Sequence, residues 1–355
     1  MTKSASILAR WEHGSEFHLP DLSASPSNNE WLRDFVYMGS GRDSLALLIA
    51  YGIEHRGWKR VFLPTYYCED VAPRLRGNGV EVLWYSAGPS REAEVPEGSP
   101  GDVLVRVAYF GWGLATLAES FGGEIVEDHT HDPWGAEESE ADYCFASLRK
   151  TLPLPDGGIL WSPRSHSLPA TPQLDSAHTV AAMNKLAAMA LKRSYLSGGD
   201  VDKFAFRALA VEGEAALGRG AISGILPLSQ IMLEAMPINA WRRKRRENVE
   251  AFRDALGEGT GIEVVGPPDA EAPFAVILRL PNRHLRDALR TRLCNDSIYP
   301  AVLWPFDPER RQSLPPEDLS FSDTTMALHA DARYGQDDMR RVAQHVRRHA
   351  TQLNL

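Results

Sequence analysis

The stretch "RVFLPTYYCEDVAPRLRGNGVEVLWY", Arg60 to Tyr85, decides the fold class. It opens on a short apolar run, 60–64, closed by Pro64. It ends on a second apolar run, 80–85. Between them "CEDVAPRLRGNG" reads as a short helix with a Gly-rich stop. Two strands joined by a helix form the unit of a parallel sheet, because parallel neighbours need a crossover connection.

The same alternation continues on both sides. Upstream, "DSLALLIAYGIEHRG" (43–57) has helical spacing of apolar residues and stops near Gly57. Downstream come strands at 101–111, 124–128, 141–147 and 157–163, with a helix predicted in "GLATLAESFGG". This is an α/β domain with a mostly parallel sheet. After residue 170 the chain turns helical: "SAHTVAAMNKLAAMALKRSYLSGG" (176–199), "DKFAFRALAVEGEAALG", and a segment that Pro237 kinks or divides. The basic run "WRRKRRENVEAF" is expected to be the solvated face of a helix whose apolar side holds Trp241, Val249, Phe252 and Leu256. Strand-like "GIEVVG", "FAVILRLP" and "SIYPAVLWP", with helices from His284 to Cys294 and at the C-terminus, make a small α+β domain. The expected division is an N-terminal arm at 1–36, a large α/β domain at 37–245 with a helical segment at 170–225, and a small domain at 246–355.

The chain's 355 residues are 43% hydrophobic, enough for a sizeable core, and carry a formal net charge of -9. That charge provides no overall basic field for nucleic acid or an anionic membrane. No apolar run approaches a membrane span, and the N-terminus does not read as a signal peptide. Three scattered cysteines, Cys68, Cys144 and Cys294, show no paired framework, which fits a reducing cytoplasm.

In a parallel sheet, ligands sit beyond the C-terminal strand ends, so polar residues there carry the functional reading. "MGSGRDSLALL" (38–48) is a Gly-rich turn opening a helix. Its backbone N–H groups, with Ser40 and Ser44, suit a phosphate, and equally an ordinary helix cap by Ser40 or Asp43. "EIVEDHTHD" delivers Glu127 and Asp128 at a strand end, followed by His129 and His131. Those residues suit a carboxylate paired with a cationic ring nitrogen, a His-x-His metal site, or a plain polar loop. Lys150 follows an apolar strand, next to the cation Arg149. Taken alone it is a solvated charge, but a lysine of lowered pKa forms Schiff bases. A phosphate-type turn, a strand-terminal Asp and a strand-terminal Lys, in that order, are the parts a pyridoxal phosphate site requires.

These segments resemble the DegT/DnrJ/EryC1/StrS family of fold-type-I pyridoxal phosphate enzymes, best known as sugar aminotransferases. "SGRDSLALL" is similar to the family's Ser-Gly-Thr-x-Ala-Leu turn. "EIVEDHTHD" is similar to Val-x-Glu-Asp-x-Ala-Gln, and "KTLPLPDGG" to Lys-x-Leu-x-x-Gly-Glu-Gly-Gly with Gly157 and Gly158 in register. Pro64 and Gly79 keep the family's separation, and "SIYPAVLWP" and "LHADARYGQDDMRRVAQHV" resemble the end of its small domain. The resemblance spans most of residues 35–350.

The resemblance implies a homodimer with the sites at its interface, pyridoxal 5'-phosphate as cofactor, and transfer of an amino group. The donor would be a small molecule such as glutamate or glutamine, and the acceptor a keto-sugar or related ketone. Lys150 would be the Schiff-base lysine and Asp128 the partner of the pyridine nitrogen. His131 would stand near the phenolic oxygen. Ser40, Gly41, Arg42 and Asp43 would form the phosphate turn. The departures lie around the cofactor. Phe145 replaces a phosphate-binding serine, leaving Ser147 nearby. Cys68 falls where an aromatic stacks, with Tyr66 or Tyr67 beside it. "GRGAIS" replaces a Gly-x-Asn-x-Arg stretch, with Arg219 the nearest substitute. They leave elimination or condensation chemistry, or a non-catalytic relative, as alternatives. A metal-dependent hydrolase using His129 and His131 is the rival from another class.

Overall fold

The computed structural model describes residues 10–22, 35–114, 121–136 and 138–355. In chain order the first half forms β1 (His13–Gly14), β2 (Val36–Met38), α1 (Gly41–Arg56), β3 (Arg60–Pro64), α2 (Val71–Arg76), β4 (Glu81–Tyr85), β5 (Asp102–Val107), β6 (Glu124–Asp128), β7 (Tyr143–Ser147) and β8 (Gly158–Trp161). Then come α3 (Ser176–Leu196), α4 (Lys203–Arg219), α5 (Pro227–Glu234), α6 (Ile238–Leu256), β9 (Glu263–Val265), β10 (Ala275–Arg279), α7 (Arg283–Asn295), β11 (Ile298–Tyr299), α8 (Pro308–Gln312), α9 (Pro316–Thr324), β12 (Thr325–His329) and α10 (Gln336–Gln352).

Seven strands make one sheet in the order β2-β8-β7-β6-β5-β3-β4. Neighbours from β4 to β7 pair in parallel, while β8 runs antiparallel to β7. The mostly parallel α/β expectation holds. Parallel strands are covered on both faces, which is why β5 and β7 read as nearly continuous apolar runs. Because β3, β5, β6 and β7 are parallel, Pro64, Val107, Asp128 and Ser147 all end at the same edge. The register sets Asp128 opposite Val107 on one side and Phe145 on the other.

Helix α1 forms for local reasons. Leu45, Leu48 and Ile49 repeat at helical spacing and are buried, and Ser40 Oγ accepts from the Asp43 N–H at 3.1 Å as the cap. Gly57 ends the helix in the left-handed region, φ 71. Leu45, Leu48 and Ile49 join Val61, Leu63, Val103, Val105 and Val126 in the sheet core. A second core lies where β9, β10 and β12 pack on α6, α7 and α10, around Phe252, Leu278, Leu328 and Val342.

Several expectations shift. The strand predicted over 101–111 stops at Val107, and Tyr109–Gly111 forms a tight turn with Phe110 at φ 53. "SIYPAVLWP" keeps only Ile298–Tyr299 as a strand, paired in parallel with His13–Gly14, because its two prolines cannot donate to a ladder. β2, β12, α8 and α9 were not anticipated, being short or lacking a clear period. Most of the helix predicted at "GLATLAESFGG" and the "SASPSNN" stretch lie outside the described residues. The basic run is also not a solvated face throughout. Arg242 pairs with Asp132 at 2.9 Å, and buried Arg245 donates to the Thr151 carbonyl. α6 lies against the strand-end loops, where its cations find anionic and carbonyl partners.

Candidate active site

At the C-terminal edge of the parallel strands is a cleft holding about 840 Å³ of space, its open mouth included. Eleven of the residues singled out in the sequence line it: Ser40, Gly41, Arg42, Tyr67, Cys68, Asp128, His131, Phe145, Ser147, Arg149 and Lys150. Asp43 and Arg219 do not. Asp43 faces Arg74 at 2.7 Å, and its N–H is taken by Ser40 Oγ. Arg219 is exposed at the end of α4. Tyr66 is enclosed among Trp304, Phe306 and Phe321 and does not line the cleft.

Asp128 ends β6 and is buried. Tyr67 Oη donates to its Oδ2 at 2.6 Å, and the Thr130 N–H donates to its Oδ1 at 2.9 Å. Both donors are neutral. Burial pushes the Asp128 pKa up, against the pull of the Thr130 and Tyr67 hydrogen bonds. A cation in the cleft, such as a protonated ring nitrogen, would offset that burial.

His131 is buried between Phe110, stacked at 5.4 Å, and Phe274, at 4.5 Å. Its Nδ1 accepts the Phe110 N–H at 2.9 Å. Burial, then Lys150 and Arg245, lower its pKa to about 3, so the ring is neutral with its proton on Nε2. It offers the cleft a fixed donor. His129 points elsewhere and meets Glu127 Oε2 at 2.9 Å. The two histidines contact different partners and do not converge on a shared metal. His129 instead groups with Glu127 and Cys144, so the His129–His131 pairing of the hydrolase reading is not formed.

Lys150 closes the turn after β7, and its surface opens into the cleft. It makes no hydrogen bond or ion pair among the described residues. Desolvation by the cleft walls and the Arg149 guanidinium lower its pKa, opposed by Glu214. Arg149 is held by Glu214 from α4 at 2.5 and 2.6 Å, and Lys185 of α3 reaches the same carboxylate at 2.7 Å. The α3–α4 pair therefore supplies one wall of the cleft.

The phosphate-type turn rests on close backbone packing. A Cβ on Gly158 would lie 2.4 Å from the Ser40 carbonyl, and one on Gly41 would lie 2.8 Å from Ser147 Cβ. This contact explains the spacing of the Gly pair after Lys150: β8 starts directly on the turn that opens α1. The Ser147 N–H donates to Thr130 Oγ1 at 3.0 Å, while Ser147 Oγ is buried without a partner among the described residues. An unpaired buried hydroxyl next to the N-terminus of a helix suits an anion. Cys68 also lines the cleft, its thiol pKa raised by burial.

Sequence reasoning missed Thr130, Glu214, Phe274 and Trp304. Only Thr130 lay within a stretch read for cofactor or metal chemistry, two residues from Asp128. The other three come from helices and loops far along the chain.

No protein-family model matches the sequence, and no curated protein does. Solved structures do match. DesI, in the presence of its TDP-sugar product, is 19% identical, with 90% of this chain and 81% of that one covered at a TM-score of 0.57. Spr1654 from Streptococcus pneumoniae, in a PLP form, is 12% identical over 90% and 87% of the two chains, at 0.58. A DegT DnrJ EryC1 StrS aminotransferase from Brucella abortus is 14% identical over 90% and 87%, at 0.56. Across nearly its whole length, this chain has the fold-type-I architecture of the pyridoxal phosphate aminotransferases.

Proposed function

We propose that this protein is a divergent member of the DegT/DnrJ/EryC1/StrS family, a pyridoxal phosphate-dependent aminotransferase. Its acceptor is a keto-sugar or related small ketone and its donor a small amino acid. One observation carries the reading: Lys150, without a hydrogen bond or ion pair among the described residues and of lowered pKa, shares a cleft with a buried Asp128 whose hydrogen-bond donors are both neutral. The sugar part of the reading is supported by the fold shared with DesI.

The residues present fit the cofactor. Ser147 Oγ and the N–H groups that open α1 at Gly41 and Arg42 would hold its phosphate, and Asp128 would hold the proton on its ring nitrogen. His131 Nε2 would donate to the phenolic oxygen, and Lys150 Nζ would be the point of covalent attachment. When bound, pyridoxal phosphate supplies an aldehyde and an electron-accepting ring. Tyr67 and Thr130 orient Asp128. Once the amino donor has displaced it from that attachment, Lys150 Nζ, neutral at lower pH than a free lysine, would take and return the proton that moves during amino transfer. Phe274 and Trp304 line the same cleft and pack against His131.

The homodimer is part of this proposal. Val180, Phe204, Val211 and Ile231, on α3, α4 and α5, are 62%, 79%, 63% and 63% exposed, an apolar surface beside the wall that carries Glu214. Arg219, at the end of the same helix, faces outward for a second copy.

The test is direct. Pyridoxal phosphate added to the purified chain gives the near-UV and visible band of a Schiff base. Borohydride then fixes the cofactor to the peptide holding Lys150, and Lys150→Ala shows neither effect. L-glutamate converts the bound cofactor to its amine form. No band in the wild type, or attachment at another lysine, overturns the assignment.

A further inference from the structure

Away from the cleft, the end of α7 and the last turns of α10 bring Asp296, His345 and His349 together. His345 and His349 are four residues apart, so their rings leave the same face of α10. Asp296 Oδ2 lies 2.7 Å from His345 Nδ1, 2.7 Å from His349 Nε2 and 2.5 Å from Arg348 Nη2.

The protons of this cluster cannot all be placed. Gln352 Oε1 accepts from Arg292 Nη1 at 2.7 Å, and a guanidinium only donates, so that Gln352 atom is an oxygen. The same oxygen is 3.1 Å from His349 Nδ1, which must therefore carry a proton. A neutral His349 then turns the Nε2 lone pair onto the Asp296 carboxylate. His345 has its own conflict, because its Nδ1 faces Asp296 Oδ2 and also Arg348 Nη2 at 2.8 Å. A proton on that nitrogen opposes the guanidinium, and a lone pair opposes the carboxylate. Making His349 an imidazolium repairs the first conflict and leaves the second.

A divalent cation in place of the guanidinium removes both conflicts. Two imidazole lone pairs and one carboxylate oxygen would then point at one ion. Two nitrogens and an oxygen are ligands for a borderline metal of the zinc class, and three protein ligands leave room for water. Gln352 becomes the outer partner that fixes the His349 tautomer. The Arg348 side chain is 51% exposed and can swing into solvent, while the His349 and His345 side chains are held at 10% and 19% exposure. We propose that Asp296, His345 and His349 form a binding site for a divalent transition metal such as Zn²⁺, separate from the cleft, which pins the end of α7 to α10.

The test uses the full chain stripped with a chelator and titrated with Zn²⁺ against a chromophoric competitor. Co²⁺ serves as the spectroscopic probe. One equivalent of Zn²⁺ is expected, with a Co²⁺ visible spectrum distinct from that of the aquo ion. His345→Ala/His349→Ala loses this equivalent, Gln352→Ala weakens binding about tenfold, and exposed His55→Ala changes nothing. Arg348→Ala keeps every ligand, removes the competing cation and binds Zn²⁺ more tightly. Circular dichroism checks that the double variant folds; if it does not, His345→Gln replaces it and loses the same equivalent. A wild type that binds no Zn²⁺ beyond the double variant, or an Arg348→Ala chain with unchanged affinity, overturns the proposal.

Discussion

Asp128 receives Tyr67 Oη on one oxygen and the Thr130 N–H on the other, and this arrangement fixes its orientation before any ligand arrives. Asp128→Asn keeps the shape and removes the charge that would hold a ring proton. The expected outcome is a protein that still attaches pyridoxal phosphate through Lys150 but whose half-reaction with glutamate slows by about 100-fold or more. Stopped-flow absorbance measures this, and wild-type speed in the variant would remove Asp128 from the site. Lys150 and Asp128 were legible because each follows an apolar strand in a recognisable order. Thr130 was not singled out, because its role depends on β6 lying beside β7, where its hydroxyl meets the Ser147 N–H. The neutrality of His131 comes from burial among Phe110, Phe274 and Trp304, which no local sequence feature reports.

At the scale of elements, the contact between β8 and the turn before α1 matters most. Gly158→Ala drives a methyl group into the Ser40 backbone, which has no side-chain freedom to yield. A loss of about 1–3 kcal/mol in urea unfolding is expected, together with weakened retention of pyridoxal phosphate. Unchanged stability and retention would show that the turn is not held by this contact. The alternation of strands and helices was readable from apolar runs and their Pro or Gly stops. The strand order was not, because pairing partners are set by which faces can be covered. The same limit explains α6. A run of five basic residues in six (241–246) reads as solvated until the loops that hold Asp132 and Thr151 are placed beside it.

Two predictions belong to the whole molecule. The exposed apolar residues of α3, α4 and α5 are expected to be covered by a second copy. Light scattering should give a dimer for the wild type, and Phe204→Glu with Val211→Glu should shift it toward monomer and loosen cofactor retention. A monomeric wild type would remove that surface from the reading. The second prediction concerns acid. Burial lowers His13 and His131 to about 3 and His18 to about 4, from an ordinary value of 6.5. Between those values the unfolded chain binds protons that the folded chain does not, so stability falls as pH drops from about 6.5 toward 4. Each ring contributes up to about 1.4 kcal/mol per pH unit. Urea midpoints across that range measure the slope. His13→Phe, which removes the buried His13 imidazole, should flatten it.

By itself the sequence determined the α/β class, the parallel character of the sheet and the order of the turn, the carboxylate and the lysine. Hydrophobic period and Gly or Pro punctuation act over a few residues and are written locally. Only the tertiary structure decided what surrounds Lys150. The α3–α4 wall with Glu214, the neutral donors on Asp128, the inward-facing arginines of α6 and the meeting of Asp296 with His345 and His349 all join residues far apart in the chain. Burial and the charges it gathers exist only once those distant elements are packed together.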